Sequence, residues 1–188
     1  MASGHDSVGR ARKKASVRPH TSITVSDGGT SMTSAIQSAP GPEQKKMGVF
    51  LGRWHTTGEV AATASDPAAK VDSIDTYEWY PGEFFLVHHA DGRVGGNTIK
   101  SIEIMGYDPE RQCYFAPFFD STGGSGSEEI RLTGNTWTWR GSNVMGVKEH
   151  RCIAVVSDDG RTVKARHEKS DDGKNWVLWV DVTLRKQD

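Results

Sequence analysis

From Arg53 onward, apolar and polar positions alternate in short runs rich in Val, Ile, Thr, Trp, Tyr and Phe, and each run is closed by Gly, Asp, Asn or Pro. The period of two predicts strands near Arg53–Ala61, Ser73–Tyr80, Glu83–Ala90, Thr98–Tyr107, Gln112–Asp120, Glu128–Leu132, Thr136–Arg140, Val147–Val156, Thr162–Lys169 and Asn175–Leu184. Between them, Pro81-Gly82, Asp91-Gly92, Asp108-Pro109, Gly134-Asn135, Asp159-Gly160 and Asp172-Gly173 carry turn chemistry. Ahead of the strands, Met47, Phe50 and Leu51 recur at helical spacing after Pro42, which predicts one or two helical turns ended by Gly52.

Ten consecutive short strands with one helix to cover an open edge are best satisfied by closing the sheet into an antiparallel up-and-down β-barrel, the short N-terminal helix closing one end. A sandwich of two sheets is the alternative, but it needs longer crossing connections than these hairpins. Residues 1–40 are rich in Ser, Thr, Gly and basic side chains and poor in large apolar ones. That composition predicts a disordered tail, leaving a single barrel domain at 41–188.

The bulk numbers narrow the function without naming it. A chain of 188 residues with 35% hydrophobic and 25% charged residues and a formal charge of -1 suits one domain, and argues against nucleic acid or an anionic membrane as partner. Cys113 and Cys152 lie far apart and outside any Cys-x-x-Cys arrangement, so two reduced core thiols are expected rather than a metal ribbon or a redox dithiol. No run approaches the roughly eighteen apolar residues of a spanning helix, and no apolar stretch follows the N-terminal basic residues, which predicts a cytoplasmic protein. Arg10, Arg12, Lys13, Lys14 and Arg18 against Asp6 form a pattern that transit peptides share, with a flexible tail or an upstream start codon as the other readings.

Two segments carry a resemblance. Gly52-Arg53-Trp54 after a short helix, followed by Gly58-Glu59, resembles the opening of lipocalin-like (calycin) barrels. The resemblance implies that Trp54 plugs the closed end and that Arg185, from Val182-Thr183-Leu184-Arg185, packs over it. Ile104-Met105-Gly106-Tyr107-Asp108, Phe119-Asp120-Ser121-Thr122-Gly123 and Ser170-Asp171-Asp172-Gly173-Lys174-Asn175-Trp176 look like a bacterial lipocalin-like family known only as a domain of unknown function. More distantly, the chain is similar to haem-binding nitrobindin-like barrels. The resemblance covers most of residues 43–185 and implies a fold, not an activity.

With Trp54 inward, alternation turns Thr56, Gly58 and Val60 to the lumen and His55, Thr57 and Glu59 outward. His88 and His89 face opposite ways, so only one of them can be a site residue; His88 shares a face with Phe84 and Leu86 and is the choice. Glu103, inside an apolar strand, either faces water, the favoured reading, or is paired in a cavity. Asp120 either caps the turn made by Ser121 and Thr122 or joins His88 and Glu103 as an acid/base set. The aromatics either fill the core or wall a pocket, Trp137 and Trp139 sharing one strand face while Trp176 and Trp179 take opposite ones. The candidate ligand-binding set is therefore Trp54, His88, Glu103, Tyr114, Asp120 and Trp139, and the catalytic candidates are His88, Asp120 and Glu103.

No metal, nucleotide or nucleophile-elbow motif is present, and Gly123-Gly124-Ser125-Gly126 opens no helix, so it reads as a hairpin loop. His167 and Glu168, being adjacent, form no metal site. The leading expectation is a binding barrel for a small hydrophobic molecule, with no cofactor or metal and with the oligomeric state, a homodimer included, left open. A cofactor-free proton-transfer enzyme using His88 as base is the alternative. Haem on His88, His150 or His167 is a third reading, and a barrel filled by its own side chains a fourth.

Overall fold

The computed structural model describes residues 39–144 and 146–188. The tail expected at 1–40 falls almost wholly outside them. Among the described residues the elements are α1 (Pro42–Lys46), a 3-10 turn (Met47–Phe50) and ten strands: β1 (Gly52–Val60), β2 (Ala69–Trp79), β3 (Leu86–Val94), β4 (Asn97–Asp108), β5 (Cys113–Asp120), β6 (Ser125–Thr133), β7 (Thr136–Val144), β8 (Val147–Val156), β9 (Thr162–Ser170) and β10 (Val177–Lys186). Every strand pairs with its neighbour in sequence, and β1 pairs antiparallel with both β2 and β10, so the sheet closes into a barrel. No edge is left to template another chain.

The helical segment forms the floor. Trp54 is completely buried at the start of β1, and its indole N–H donates to the Phe50 carbonyl at 2.6 Å. The Tyr114 hydroxyl donates to the Glu43 carboxylate at 2.8 Å, tying α1 to β5. Phe50 packs edge-on against Trp137 with ring centroids 5.1 Å apart, and Met47, Leu86, Met105, Ile130 and Val163 complete this end of the core. Burial of aromatic and aliphatic surface under a helix is what makes one end of the barrel solid.

Four expectations are corrected here. Asp91-Gly92 is not a turn but the interior of β3: a Cβ at Gly92 would lie 2.5 Å from that of Ser73, so glycine answers close packing between strands. The hairpin is made instead by Gly95 and Gly96, with φ of 57° and 93°. β3 also begins later than expected, at Leu86, because Glu83 (φ 60°) still belongs to the preceding turn; Phe84 therefore lies off the strand. The loop expected across Gly123–Gly126 is shorter, since β6 already starts at Ser125. Finally, the cation over Trp54 is Lys186, its Nζ 5.2 Å from the ring centroid, whereas Arg185 is exposed opposite His55.

Candidate functional site

Above the floor the barrel encloses a cavity of about 680 Å³. That lies within the roughly 300–1,000 Å³ typical of small-molecule sites. Inward-facing positions of nearly every strand line it, including Thr56 and Val60 of β1 as alternation requires. Phe118, Trp139 and Trp179 give aromatic wall, and Val71, Ile99 and Val180 give aliphatic wall.

Two polar groupings stand in this apolar wall. In the first, strand register sets Tyr77, His88, Glu103 and Phe118 side by side across β2, β3, β4 and β5. His88 Nε2–H donates to Asp75 Oδ1 at 3.2 Å, and His88 Nδ1 lies 3.9 Å from Glu103 Oε1. Asp75 is 7% exposed and also accepts from the Thr56 and Ser73 hydroxyls, so its carboxylate is saturated. Burial works against charge on His88, but Asp75 and Glu103 together outweigh it and raise the imidazole to about 9. Burial likewise works to raise Asp75, and its contacts with His88, Thr56 and Ser73 prevail to leave it below the usual carboxylate range. His88 is thus an imidazolium at neutral pH, held between Asp75 and its second, longer ion-pair partner Glu103.

The second grouping runs Glu128, His150, His167 and Cys152 from β6 through β8 and β9. His150 Nδ1 is 2.6 Å from Glu128 Oε1, His150 Nε2 is 3.1 Å from His167 Nδ1, and His167 Nε2 is 3.6 Å from Cys152 Sγ. The Glu128 carboxylate accepts from His150 Nδ1–H, so the two rings and the Cys152 thiol form one continuous chain of hydrogen bonds that ends on a carboxylate. Burial, with the neighbouring His150 adding to it, drives His167 down to about 3, so it stays neutral. Burial also pushes the Cys152 thiol far up, helped by Glu128 and Glu103, so it is no thiolate nucleophile.

Of the sequence-derived candidates, His88, Glu103, Trp139 and Asp120 line the cavity. Glu103 faces inward, against the favoured reading of that position. His88, Glu103 and Asp120 do not converge as one set: Asp120 Oδ1 accepts from the Thr122 and Gly124 N–H groups at 2.7 and 3.0 Å and from the Thr122 hydroxyl at 2.6 Å. Those bonds, the Thr122 hydroxyl foremost, hold its carboxyl below the ordinary range. Trp54 and Tyr114 are floor residues and do not line the lumen. His89 and His55 are outside, His55 bonded to Asp72 at 2.8 Å.

The sequence reading missed Asp75, Tyr77, Glu128 and the linkage of His150 to His167. A signal existed. Glu128 shares its strand face with Ile130 and Leu132, His150 with Cys152 and Ala154, and His167 with Val163 and Ala165. A polar residue in register with small or apolar ones marks the lumen.

Haem would need a lumen imidazole with a nitrogen turned to open space. The Nε2 of His88 is on Asp75 and its Nδ1 faces Glu103, while both nitrogens of His150 and His167 are engaged as described. These residues do not fit a haem iron. Among the described residues no cluster of three or more His, Cys, Asp or Glu is arranged to hold a metal ion, and no helix is long and apolar enough to cross a membrane.

The barrel is similar to two solved structures. One is Rv2717c from M. tuberculosis, with a TM-score of 0.61, 14% identity, and coverage of 79% of this chain and 99% of that one. The other is the S-type phycobiliprotein lyase CPES from Guillardia theta, with a TM-score of 0.52, 9% identity, and coverage of 78% and 92%. At these identities the likeness is one of fold, the lipocalin-like closed barrel. No curated protein matches the chain. Residues 39–186, which comprise the helical floor and all ten strands, match the family described as "Protein of unknown function (DUF1579)", and the chain belongs to it.

Proposed function

We propose that this protein is a container: its barrel holds one small, largely apolar molecule in the lumen, with a polar group of that molecule against His88 and Glu103. The observation that carries the reading is the lumen cavity of about 680 Å³, floored by Phe50 and walled by aromatic and aliphatic side chains, with polar groups at defined places. A barrel of ten strands is wide enough for this, and the filled interior of a scaffold would leave no such space. The likeness to a phycobiliprotein lyase supports a fold compatible with a bound small molecule.

The test is titration with the neutral fluorophore N-phenyl-1-naphthylamine. Trp139 and Trp179 line the lumen and serve as energy donors. Saturable one-to-one binding with transfer from tryptophan is expected in the natural protein, and its loss in Ala154→Trp, which fills the cavity. Failure to bind, or equal binding by a folded Ala154→Trp, overturns the reading.

A second reading has one observation of its own. Glu103 stands 3.9 Å from the His88 imidazolium and faces the lumen, so a base and an acid are within reach of one bound molecule. Cofactor-free proton transfer would then use Glu103 as base and His88 as acid, the reverse of the role a neutral histidine would take. Wash-out of deuterium from the α-carbon of a bound apolar ketone, lost in Glu103→Gln, checks it; no wash-out above the solvent rate overturns it.

A further inference from the structure

The walls of the cavity are one-sided in charge. Asp75, Glu103, Asp120 and Glu128 all line it, and among the described residues no lysine or arginine does. Asp120 is spent on its own turn, and Glu128 is closed off by His150. The His88 imidazolium lies between two carboxylates, Asp75 and Glu103. One positive and two negative charges leave that wall with a deficit of one positive charge. The three residues are not equivalent in what they offer a ligand. Asp75 accepts from Thr56, Ser73 and His88, whereas Glu103 is approached by His88 at the longer distance of 3.9 Å and is reached from the lumen.

Beside Glu103 the wall is aromatic. Phe118 is its cross-strand partner, and Trp139 and Trp179 also face the cavity. Ring faces attract a cation and accept an apolar body equally well, so this wall tolerates a charged head and the chain behind it. A carboxylate ligand would meet the opposite situation, entering a low-dielectric space already holding negative charge, with no lysine or arginine among the described lining residues to neutralise it.

We propose that the molecule held in the lumen is a monocationic amine with an apolar body, its ammonium group donating to Glu103 and its body lying along Phe118, Trp139 and Trp179. This rests on the container reading and adds the chemical class of the cargo. It assigns Glu103 as the residue that determines specificity and excludes fatty acids and other apolar anions as preferred ligands.

A matched series of equal chain length tests it: decylammonium, decanol and decanoate, each below its micelle concentration, titrated calorimetrically into the full chain at pH 7. The expected order is amine, then alcohol, then carboxylate, with the amine bound at least about tenfold more tightly than the alcohol. In Glu103→Gln, shown folded by near-ultraviolet circular dichroism, the amine-to-alcohol ratio falls toward one. Decanoate binding as tightly as decylammonium, or an unchanged ratio in the variant, overturns the proposal while leaving the container intact. If decanol and the other two all fail to bind, the container reading falls and this inference with it. Should the variant not fold, the order within the natural protein still decides.

Discussion

The imidazole of His88 lies flat on the phenol ring of Tyr77, with centroids 4.1 Å apart and planes within 5°. Tyr77 is the cross-strand partner of His88 and itself stacks on Phe50, at 5.6 Å and 27°. A column of rings thus runs from the helical floor to the lumen histidine and fixes the plane of the imidazole, leaving its two nitrogens aimed at Asp75 and Glu103. Stacking on an electron-rich ring face also suits a ring that carries positive charge. The floor is therefore part of the site: it decides which way the imidazole of His88 points.

His88 will titrate near pH 9 in the folded protein. Burial favours the neutral ring, but Asp75 and Glu103 prevail, so the folded value lies above the ordinary histidine value of about 6.5. The stabilisation this confers is complete below about pH 6.5 and is lost as pH rises through about 9. Imidazole resonances followed by NMR should show the midpoint, and Asp75→Asn should lower it. The gap in urea midpoint between the natural protein and His88→Gln should shrink over the same interval. A midpoint at or below 7 would show that the Asp75 bond does not hold the proton.

His167 behaves in the opposite sense. Its folded value is depressed to about 3, by burial first and by His150 second, while the unfolded chain takes up a proton near 6.5. Its contribution is present above about pH 6.5 and is lost as pH falls toward 3. Glu128, Cys152 and Trp179 surround the His150–His167 pair, so the chain of hydrogen bonds must rearrange when a proton enters. Urea midpoints measured between pH 7 and 4 should fall more steeply for the natural protein than for His167→Gln. Parallel slopes would mean that His167 is protonated, or solvated, in the folded state.

How far these groups were legible follows from what a strand pattern encodes. Alternation gives the face of a residue, so Thr56 follows inward from Trp54, and His88 follows from the face it shares with Leu86. It misleads where the outward face is also apolar: Ile102 and Ile104 flank Glu103, and they made an inward glutamate look improbable, although Ile102 and Ile104 themselves occupy the outer face. Convergence is a separate matter. Glu128, His150 and His167 come from three strands, and their meeting depends on the stagger of the closed sheet, which no single run of sequence carries. Gly92 was misread for a related reason, since its lack of a side chain serves contact with Ser73 on the neighbouring strand rather than a bend in its own.

The floor gives a prediction that separates two adjacent cations. Trp54 is fully buried and bonded through its indole nitrogen, so Trp54→Ala should cost about 3–5 kcal/mol and open the closed end. Lys186 lies over the ring face, whereas the side chain of Arg185 is on the outer surface. Lys186→Ala should therefore cost about 0.5–1 kcal/mol and Arg185→Ala less than that. Chemical denaturation of the three variants measures all of these. A larger loss at Arg185 than at Lys186 would restore the arginine expected from the family resemblance.

Asp120 offers the last separation, between a turn and a catalytic acid. Its carboxylate takes three hydrogen bonds from Thr122 and Gly124 in the turn between β5 and β6, and a Cβ at Gly124 would lie 2.2 Å from its Oδ2. Bonds of this kind to a charged acceptor are worth about 1 kcal/mol or more in net stability, because backbone N–H groups in the turn would otherwise turn to water. Asp120→Ala should thus lower the urea midpoint by about that amount and loosen the mouth of the cavity, raising the exchange rate of the Thr122 and Gly124 amides. It should leave the His88 titration in place, since Asp75 and Glu103, not Asp120, face that ring. If instead the His88 midpoint falls in Asp120→Ala while the amides stay protected, Asp120 acts on the histidine, and the acid/base set of His88, Glu103 and Asp120 becomes the better description of the lumen.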